Sequence, residues 1–257
     1  MAEDKIEESS EDRLFGGVSR LYGPELRTRF RHATVVVAGL GGVGSWAAEA
    51  LARTGIGHLV LVDFDHIAPS NTNRQLHALE GQYGRAKVEA MAQRILLINP
   101  EIKLTLCDEF LTPENLDVLI PKNALVLDAT DSVQTKIALS VWATKNLRAV
   151  VMCGAAGGKT DPTLVRCDDL SRTEQDALLA KVRQGLRQDH GFSRNLKKKI
   201  GIRAVYSCEP RAGAANGGLA CSGYASTVMV TAACGLAAAA EILNLIAAQA
   251  EVVVSPQ

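Results

Sequence analysis

Short apolar runs recur along the first three fifths of the chain and predict strands buried on both faces of a parallel sheet. These runs lie at 34–38, 58–62, 124–127 and 148–152, and an alternating run lies at 102–106. Segments with helical spacing separate them, at 24–32, 46–54, 85–98 and before 146. This alternation indicates an α/β fold with a doubly wound, mostly parallel, Rossmann-like sheet.

Beyond residue 154 the alternation stops, which indicates a decorated C-terminal half. Ser171 and Glu174 have the spacing of a capping box and predict a helix that runs to about residue 187. A short strand is predicted at 202–206. Earlier in the chain, Thr112 and Pro113 suit the N-cap and first position of a short helix that ends near residue 119.

The segment 212–240 contains no charged residue and ends in a run rich in alanine. A membrane-spanning helix needs about 20 strongly apolar residues. Here alanine, glycine, serine and threonine dominate, and no basic cluster flanks the run. We therefore predict a buried helix of small residues that packs closely on the sheet.

The first twelve residues hold six acidic side chains and one lysine, unlike an export or transit signal. We predict a disordered acidic tail at 1–12, a single domain at 13–257, a cytoplasmic location and no membrane association.

The chain of 257 residues has 28 basic and 28 acidic side chains, which excludes a bulk polycation, and its 4% of aromatic residues disfavours a stacking platform for single-stranded nucleic acid. Without residues 1–12, the chain has 27 basic and 22 acidic side chains. Much of that excess lies between residues 183 and 203, which predicts either a contact surface for nucleic-acid phosphates or a solvated helix and loop. The basic residues there are Arg183, Arg187, Arg194, Lys197, Lys198, Lys199 and Arg203.

The six cysteines are at least 13 residues apart, so the chain has no CxxC pair for zinc, and we expect reduced thiols rather than a disulfide framework. A covalent intermediate at Cys153 or Cys221 is conceivable, although neither has a base beside it in the sequence.

A glycine-rich loop follows the first strand and opens a helix, and Asp63 lies at the end of the next strand, 19 residues past the last glycine. Glycines allow a phosphate to approach the backbone, and an acid at this position binds ribose hydroxyls. The loop glycines are Gly39, Gly41, Gly42 and Gly44. An NAD-dependent oxidoreductase would use the same arrangement.

Further charged residues favour a nucleoside triphosphate. Arg74 and Lys87 supply a guanidinium fork and a point charge for a phosphate tail, although a solvated surface pair is the alternative. Asp128 and Asp131 follow the strand at 124–127 and suit Mg²⁺, with Asp131 as the metal ligand, although Asp131 would also suit a helix cap. The remaining residues assigned to nucleotide binding are Asp65, Asn73, Gln75 and Ser132.

Taken together, these motifs resemble the ubiquitin-activating-enzyme-like adenylyltransferases. The resemblance rests on GlyLeuGlyGlyValGlySer at 39–45, LeuValAspPheAsp at 61–65, AsnThrAsnArgGln at 71–75, Lys87 and AspAlaThrAsp at 128–131. ArgLeuTyrGly at 20–23 and GlyAlaAlaGlyGlyLysThrAspPro at 154–162 make the chain similar to the tRNA threonylcarbamoyladenosine dehydratase branch.

The resemblance implies that ATP and Mg²⁺ adenylate the carboxylate of threonylcarbamoyladenosine in tRNA, and that the side group then cyclises with release of AMP. It implies Arg74, Lys87 and Asp131 as catalytic residues. It also implies a homodimer in which Arg20, or else Arg13, reaches the partner's ATP site, and it leaves room for a sulfur-transfer partner protein. The connection at 209–218 is shorter than is usual in the family.

Three alternatives remain open from the sequence. The first is an adenylyltransferase that activates the C-terminus of a ubiquitin-like sulfur-carrier protein, although such relatives typically carry two CxxC pairs for zinc. The second is a non-catalytic nucleotide-binding scaffold, which would be expected to have lost Arg74, Lys87 or Asp131. The third is the NAD oxidoreductase.

Overall fold

The computed structural model describes residues 10–210 and 225–254, with side chains from 13 to 210 and from 225 to 248. Most of the predicted acidic tail, most of the shortened connection at 209–218 and Cys221 lie outside these residues. The sheet has seven strands: β1 Thr34–Ala38, β2 His58–Val62, β3 Lys103–Cys107, β4 Leu125–Asp128, β5 Val150–Cys153, β6 Val165–Asp169 and β7 Arg203–Ser207. Their order in the sheet is β3-β2-β1-β4-β5-β7-β6, and β6 alone is antiparallel to its neighbour.

Helices cover both faces of the sheet, which confirms the doubly wound α/β fold. Helices α2, α3, α4 and α8 bury their apolar sides on one face, and α5, α6 and α7 bury theirs on the other. The helices are α1 Ser10–Tyr22, α2 Pro24–His32, α3 Gly44–Arg53, α4 Lys87–Ile98, α5 Leu116–Leu119, α6 Val133–Asn146, α7 Ala177–Asp189 and α8 Val228–Val254. Helix α1 begins within the predicted tail.

The strands predicted from apolar runs are confirmed. Strands β1 and β2 have the predicted bounds, β3 and β4 are displaced by one residue, and β5 begins two residues and ends one residue later than predicted. All residues of β1, β4 and β5 are buried. The pattern was informative because burial on both faces excludes polar side chains from these strands.

The capping box predicted at Ser171 is wrong. Residues Leu170–Arg172 form a single 3₁₀ turn, which Asp169 caps by accepting from the Ser171 N–H at 2.9 Å. Helix α7 begins only at Ala177, where the Asp176 side chain accepts from the Leu179 N–H at 2.9 Å. Strand β6 was missed because its residues are mostly half-buried or exposed, as is usual for an edge strand.

The helix predicted from Thr112 is also wrong at its start. Asn115 Oδ1 accepts from the Thr112 N–H at 2.8 Å, which closes a turn, and only the four residues of α5 are helical. An Asx-type contact therefore replaces the predicted cap.

Helix α8 is long and apolar enough to span a membrane over Val228–Ala248, and half of that stretch is buried within the protein. Its small residues allow close packing on α3: a Cβ atom on Gly235 would lie 2.4 Å from the Val43 carbonyl oxygen. The prediction of a small-residue packing helix is therefore confirmed for one face of α8, while Met229 and Leu236 are exposed.

Candidate active site

A cavity of about 460 Å³ lies at the carboxyl ends of β1, β2, β4 and β5. The strand order changes direction at β1, because β2 lies on one side of it and β4 on the other. Ligands usually bind at this point in such sheets. Ten of the residues predicted to form the site line the cavity. They are Gly39, Gly41, Gly42, Asp63, Asp65, Arg74, Gln75, Lys87, Asp131 and Ser132.

The glycine loop wraps the amino end of α3 and needs glycine for space. Gly39 has a φ of 84°, and a Cβ atom on Gly44 would lie 1.8 Å from the Gly39 carbonyl oxygen. Gly44 therefore packs against the backbone of Gly39 on the side of the loop away from the cavity, and it does not line the cavity itself. Gly41, Gly42 and Val43 line the cavity just before α3, so free backbone N–H groups at the positive end of the helix are available to an anion.

We expect Gly44→Ala to weaken ATP binding at least tenfold and to lower the free energy of unfolding by about 1–3 kcal/mol, because the new methyl group displaces the loop backbone. Isothermal titration calorimetry with ATP and urea unfolding measure the two effects. Gly17→Ala is the matched control, since a Cβ atom there has no heavy atom within 4 Å. ATP affinity of Gly44→Ala equal to that of the unmodified protein would contradict this role.

Asp63 lies at the end of β2 and connects the glycine loop to the cavity. Its carboxylate accepts from the Leu40 N–H at 2.5 Å and from the Asp65 N–H at 2.9 Å. Burial raises the pKa of Asp63, and the positive charge of Lys87 opposes that increase. Asp63 therefore fixes the loop as well as facing the expected ribose position.

Lys87 is buried at the start of α4 and lies between the two acids after β2. Its Nζ is 2.8 Å from Asp65 Oδ2 and 3.9 Å from Asp63 Oδ1. Lys87 thus contacts the predicted ribose-binding acids rather than standing alone, and it balances their charge beside the cavity.

The segment 71–75 places Arg74 against the glycine loop. The Arg74 Nη1 donates to the Ser70 carbonyl at 2.9 Å and to Asn73 Oδ1 at 2.9 Å. Asn73 does not line the cavity, and instead donates from Nδ2 to the Ser226 carbonyl at 2.7 Å, which joins this segment to the residues before α8. Gln75 is buried, and its Oε1 has no hydrogen-bond partner among the described residues.

The two acids at the carboxyl end of β4, Asp128 and Asp131, have different environments. Asp131 is exposed to the cavity, as predicted. Asp128 is wholly buried and does not line the cavity: Lys136 Nζ is 3.1 Å from its Oδ2, and Thr130 donates to its Oδ1 from N and Oγ1 at 3.0 and 2.7 Å. Asp128 therefore lies outside the cavity lining, paired with Lys136, and its assignment to nucleotide binding stays a prediction.

Asp131 also fits a magnesium ion held mainly by nucleotide phosphates. Among the described residues, no group of three or more histidine, cysteine, aspartate or glutamate side chains is placed to hold a metal. Mg²⁺ is usually bound through one or two carboxylates, substrate phosphates and water, and one cavity-facing carboxylate satisfies that need.

Other predicted residues lie away from the cavity lining. Arg20 and Arg13 are exposed on α1, and a role across a dimer stays a prediction. Cys153 is buried at the end of β5, and burial raises its pKa well above the usual range, which opposes a thiolate nucleophile there.

Only some of the basic side chains between residues 183 and 203 are exposed. Arg183 donates to Thr173 Oγ1, Arg187 is half-buried, and Arg203 pairs with Glu241 at 3.0 Å. The exposed cations of this segment are Arg194, Lys197, Lys198 and Lys199. The predicted phosphate-contact surface is therefore narrowed to residues 194–199, which we call the basic loop.

The structure also adds residues that the sequence analysis did not assign. Phe64 and Phe110 line the cavity, both are substantially exposed, and their ring centroids are 3.9 Å apart. Phe64 lies between Asp63 and Asp65, so its position could have been noticed. The Phe110 and Lys136 contacts depend on the folded arrangement of separate elements.

His77 is a buried histidine that we expect to make the stability of the protein depend on pH. It is 2% exposed, and neither ring nitrogen has a hydrogen-bond partner among the described residues. Burial and then the charge of Lys87 lower the pKa of His77 to about 4. Because the unfolded chain protonates this ring near pH 6.5, the stability it contributes is present above that pH and is lost as the pH falls towards 4.

When the pH falls from 7 to 5, the free energy of unfolding of the unmodified protein decreases as His77 becomes protonated in the unfolded chain. We expect the decrease to be about 2 kcal/mol smaller in His77→Leu. Urea unfolding at the two pH values measures the difference. The control is His32→Leu, since His32 is exposed on α2. An unchanged pH dependence in His77→Leu would show that His77 does not titrate as described.

Comparisons with known proteins agree with this geometry over nearly the whole chain. The ThiF family model matches residues 16–257. The protein from Haemophilus influenzae named tRNA threonylcarbamoyladenosine dehydratase is 43% identical over 242 residues, which cover 91% of this chain and 93% of that protein. The crystal structure of the E. coli tRNA N6-threonylcarbamoyladenosine dehydratase in complex with ATP is 42% identical, with a TM-score of 0.87 and coverage of 95% of this chain and 98% of that one.

The crystal structure of the same E. coli protein in complex with AMP is 43% identical and gives a TM-score of 0.88, again covering 95% of this chain and 98% of that one. The chain therefore belongs to the ThiF family, and its resemblance to the tRNA threonylcarbamoyladenosine dehydratases is confirmed.

Proposed function

We propose that the protein is an ATP-dependent tRNA threonylcarbamoyladenosine dehydratase. The observation that carries the proposal is the cavity itself, in which the glycine loop, Arg74, Lys87 and Asp131 converge. Support comes from relatives of that name that match this chain almost from end to end, one of which was crystallised both with ATP and with AMP.

In the proposed first step, a carboxylate oxygen of the threonylcarbamoyl group attacks the α-phosphorus of ATP, and the bond to the leaving pyrophosphate breaks. Backbone N–H groups of the glycine loop and the amino end of α3 bind phosphate oxygens. Arg74 and Lys87 lie on the cavity wall and stabilise the charge that develops on the leaving group.

The acids after β2 orient the nucleotide. Asp63 is held by the loop N–H of Leu40, and Asp65 is held by Lys87, so both carboxylates are fixed for ribose hydroxyls before ATP binds. Asp131 would hold Mg²⁺ together with phosphate oxygens, and the ion would neutralise phosphate charge when bound.

In the second step, the acyl-adenylate is attacked from within the same side group, a ring closes, and AMP leaves with the oxygen that came from the carboxylate. The balance is the loss of one water from the nucleoside and the conversion of ATP to AMP and pyrophosphate. No enzyme nucleophile is needed, in agreement with the burial of Cys153.

The second candidate is an adenylyltransferase for the C-terminus of a ubiquitin-like sulfur-carrier protein, which would use the same ATP chemistry. Exchange of labelled pyrophosphate into ATP separates the two candidates. The dehydratase requires that tRNA containing threonylcarbamoyladenosine stimulates exchange and that a carrier protein does not. Stimulation by the carrier protein alone would support the second candidate instead.

The proposal extends to the assembly and its setting. We propose a cytoplasmic homodimer in which Arg20, with Arg13 as the second choice, reaches the partner's ATP site. Arg20 is exposed on α1, away from the cavity lining of its own chain, which is consistent with this role. A sulfur-transfer protein is a further partner that the family resemblance suggests.

A further inference from the structure

The basic loop lies at the opposite end of the sheet from the cavity. It precedes β7, and β7 runs parallel to β5, so the loop meets the amino ends of the parallel strands. Two hydrogen bonds hold the residues that directly follow the loop: Asp169 accepts from the Ile200 N–H at 2.9 Å and from the Gly201 N–H at 2.7 Å. The cavity lies at the carboxyl ends of the same strands.

The length of helix α7 gives the distance between the cavity and the basic loop. Leu178, in its first turn, lines the cavity, and its last residue, Asp189, leads into the segment that holds the basic loop. At about 1.5 Å per residue, the helix carries the chain roughly 17 Å away from the cavity. Strand β7 gives a similar value, since five residues at about 3.3 Å each span roughly 16 Å.

The exposed charges of the loop are of one sign. Arg194, Lys197, Lys198 and Lys199 are all exposed. The Asp169 carboxylate binds the backbone N–H groups of the two residues after the loop rather than these cations. A closely spaced set of exposed cations suits a phosphate backbone, whose binding does not depend on the base sequence.

We propose that the basic loop binds the paired anticodon stem of tRNA, while the cavity takes the modified adenosine from the unpaired loop. This inference rests on the proposed function. A separation of roughly 17 Å corresponds to about five steps of a duplex at the ~3.4 Å spacing of B-form DNA, taken as a scale. That distance places the basic loop beyond the immediate neighbours of the modified nucleoside and beside the stem.

The test compares two RNAs that carry different parts of the contact. One is a duplex with the sequence of the anticodon stem, and the other is a single-stranded oligonucleotide with the sequence of the anticodon loop. We expect Lys197→Glu/Lys198→Glu to weaken duplex binding at least tenfold by fluorescence anisotropy, and to change the affinity for the single strand less than twofold. The dependence of duplex affinity on salt is expected to become shallower, with a slope lower by about 2.

Lys103→Glu/Lys122→Glu is the matched control, because it makes the same charge change at two exposed lysines near other strands of the sheet. It is expected to leave both affinities within twofold. Equal loss of affinity for the two RNAs would overturn the inference, because a loop that contributes to a partner's cavity would give that result. Unchanged affinity for both RNAs would also overturn it. The proposed function is tested separately, by AMP formation on modified tRNA with the unmodified protein.

Discussion

Asp131→Ala is expected to lower tRNA-dependent conversion of ATP to AMP by at least about a thousand-fold, with little effect on stability. Asp131 is the acid after β4 that faces the cavity, and it is exposed, so its removal leaves no buried group unpaired. Its loss removes the proposed protein ligand of Mg²⁺ and with it several kcal/mol of charge stabilisation when pyrophosphate leaves.

Steady-state AMP formation over a range of Mg²⁺ concentrations measures this effect, and thermal unfolding checks the fold. Asp189→Ala is the control of the same residue type, since Asp189 is exposed at the far end of α7. Turnover of Asp131→Ala close to that of the control would remove Asp131 from the metal-binding role.

Lys136→Ala is expected to cost about 3–5 kcal/mol of stability and to lower Tm by roughly 6–20 °C. Lys136 and Asp128 are each wholly buried, and their ion pair at 3.1 Å spans the start of α6. Removing the lysine leaves a buried carboxylate without its countercharge. Because Asp128 also holds the Thr130 N–H next to Asp131, activity should fall together with stability.

Urea and thermal unfolding measure this prediction, with Lys145→Ala as the control on the exposed side of the same helix. The double variant Asp128→Asn/Lys136→Met should recover part of the loss, because it leaves no unpaired buried charge. A loss below about 0.5 kcal/mol for Lys136→Ala would show that the buried pair does not stabilise the protein.

The sheet and the cavity could be predicted because their signals are local. Buried strands such as β1 read as continuous apolar runs, and the glycine loop, Asp63 and Arg74 lie in short motifs at the strand ends. The parallel topology then brings those ends together.

The differences from the predictions lie in side-chain contacts that the sequence pattern does not show. The pairing of Asp128 with Lys136 depends on how β4 and α6 pack together. Arg203 looked like part of a basic surface, yet it pairs with Glu241, 38 residues later. The start of α7 was misplaced because two nearby acids, Asp169 and Asp176, cap separate turns.

Mass spectrometry of tRNA nucleosides shows directly whether the protein dehydrates threonylcarbamoyladenosine. tRNA containing threonylcarbamoyladenosine is incubated with the protein, ATP and Mg²⁺, and then digested under mild conditions. We expect the nucleoside to lose the mass of one water molecule, with one AMP formed per converted nucleoside, and we expect that omitting ATP or substituting Asp131→Ala prevents the change. A nucleoside of unchanged mass in the complete reaction would contradict the proposed dehydratase activity.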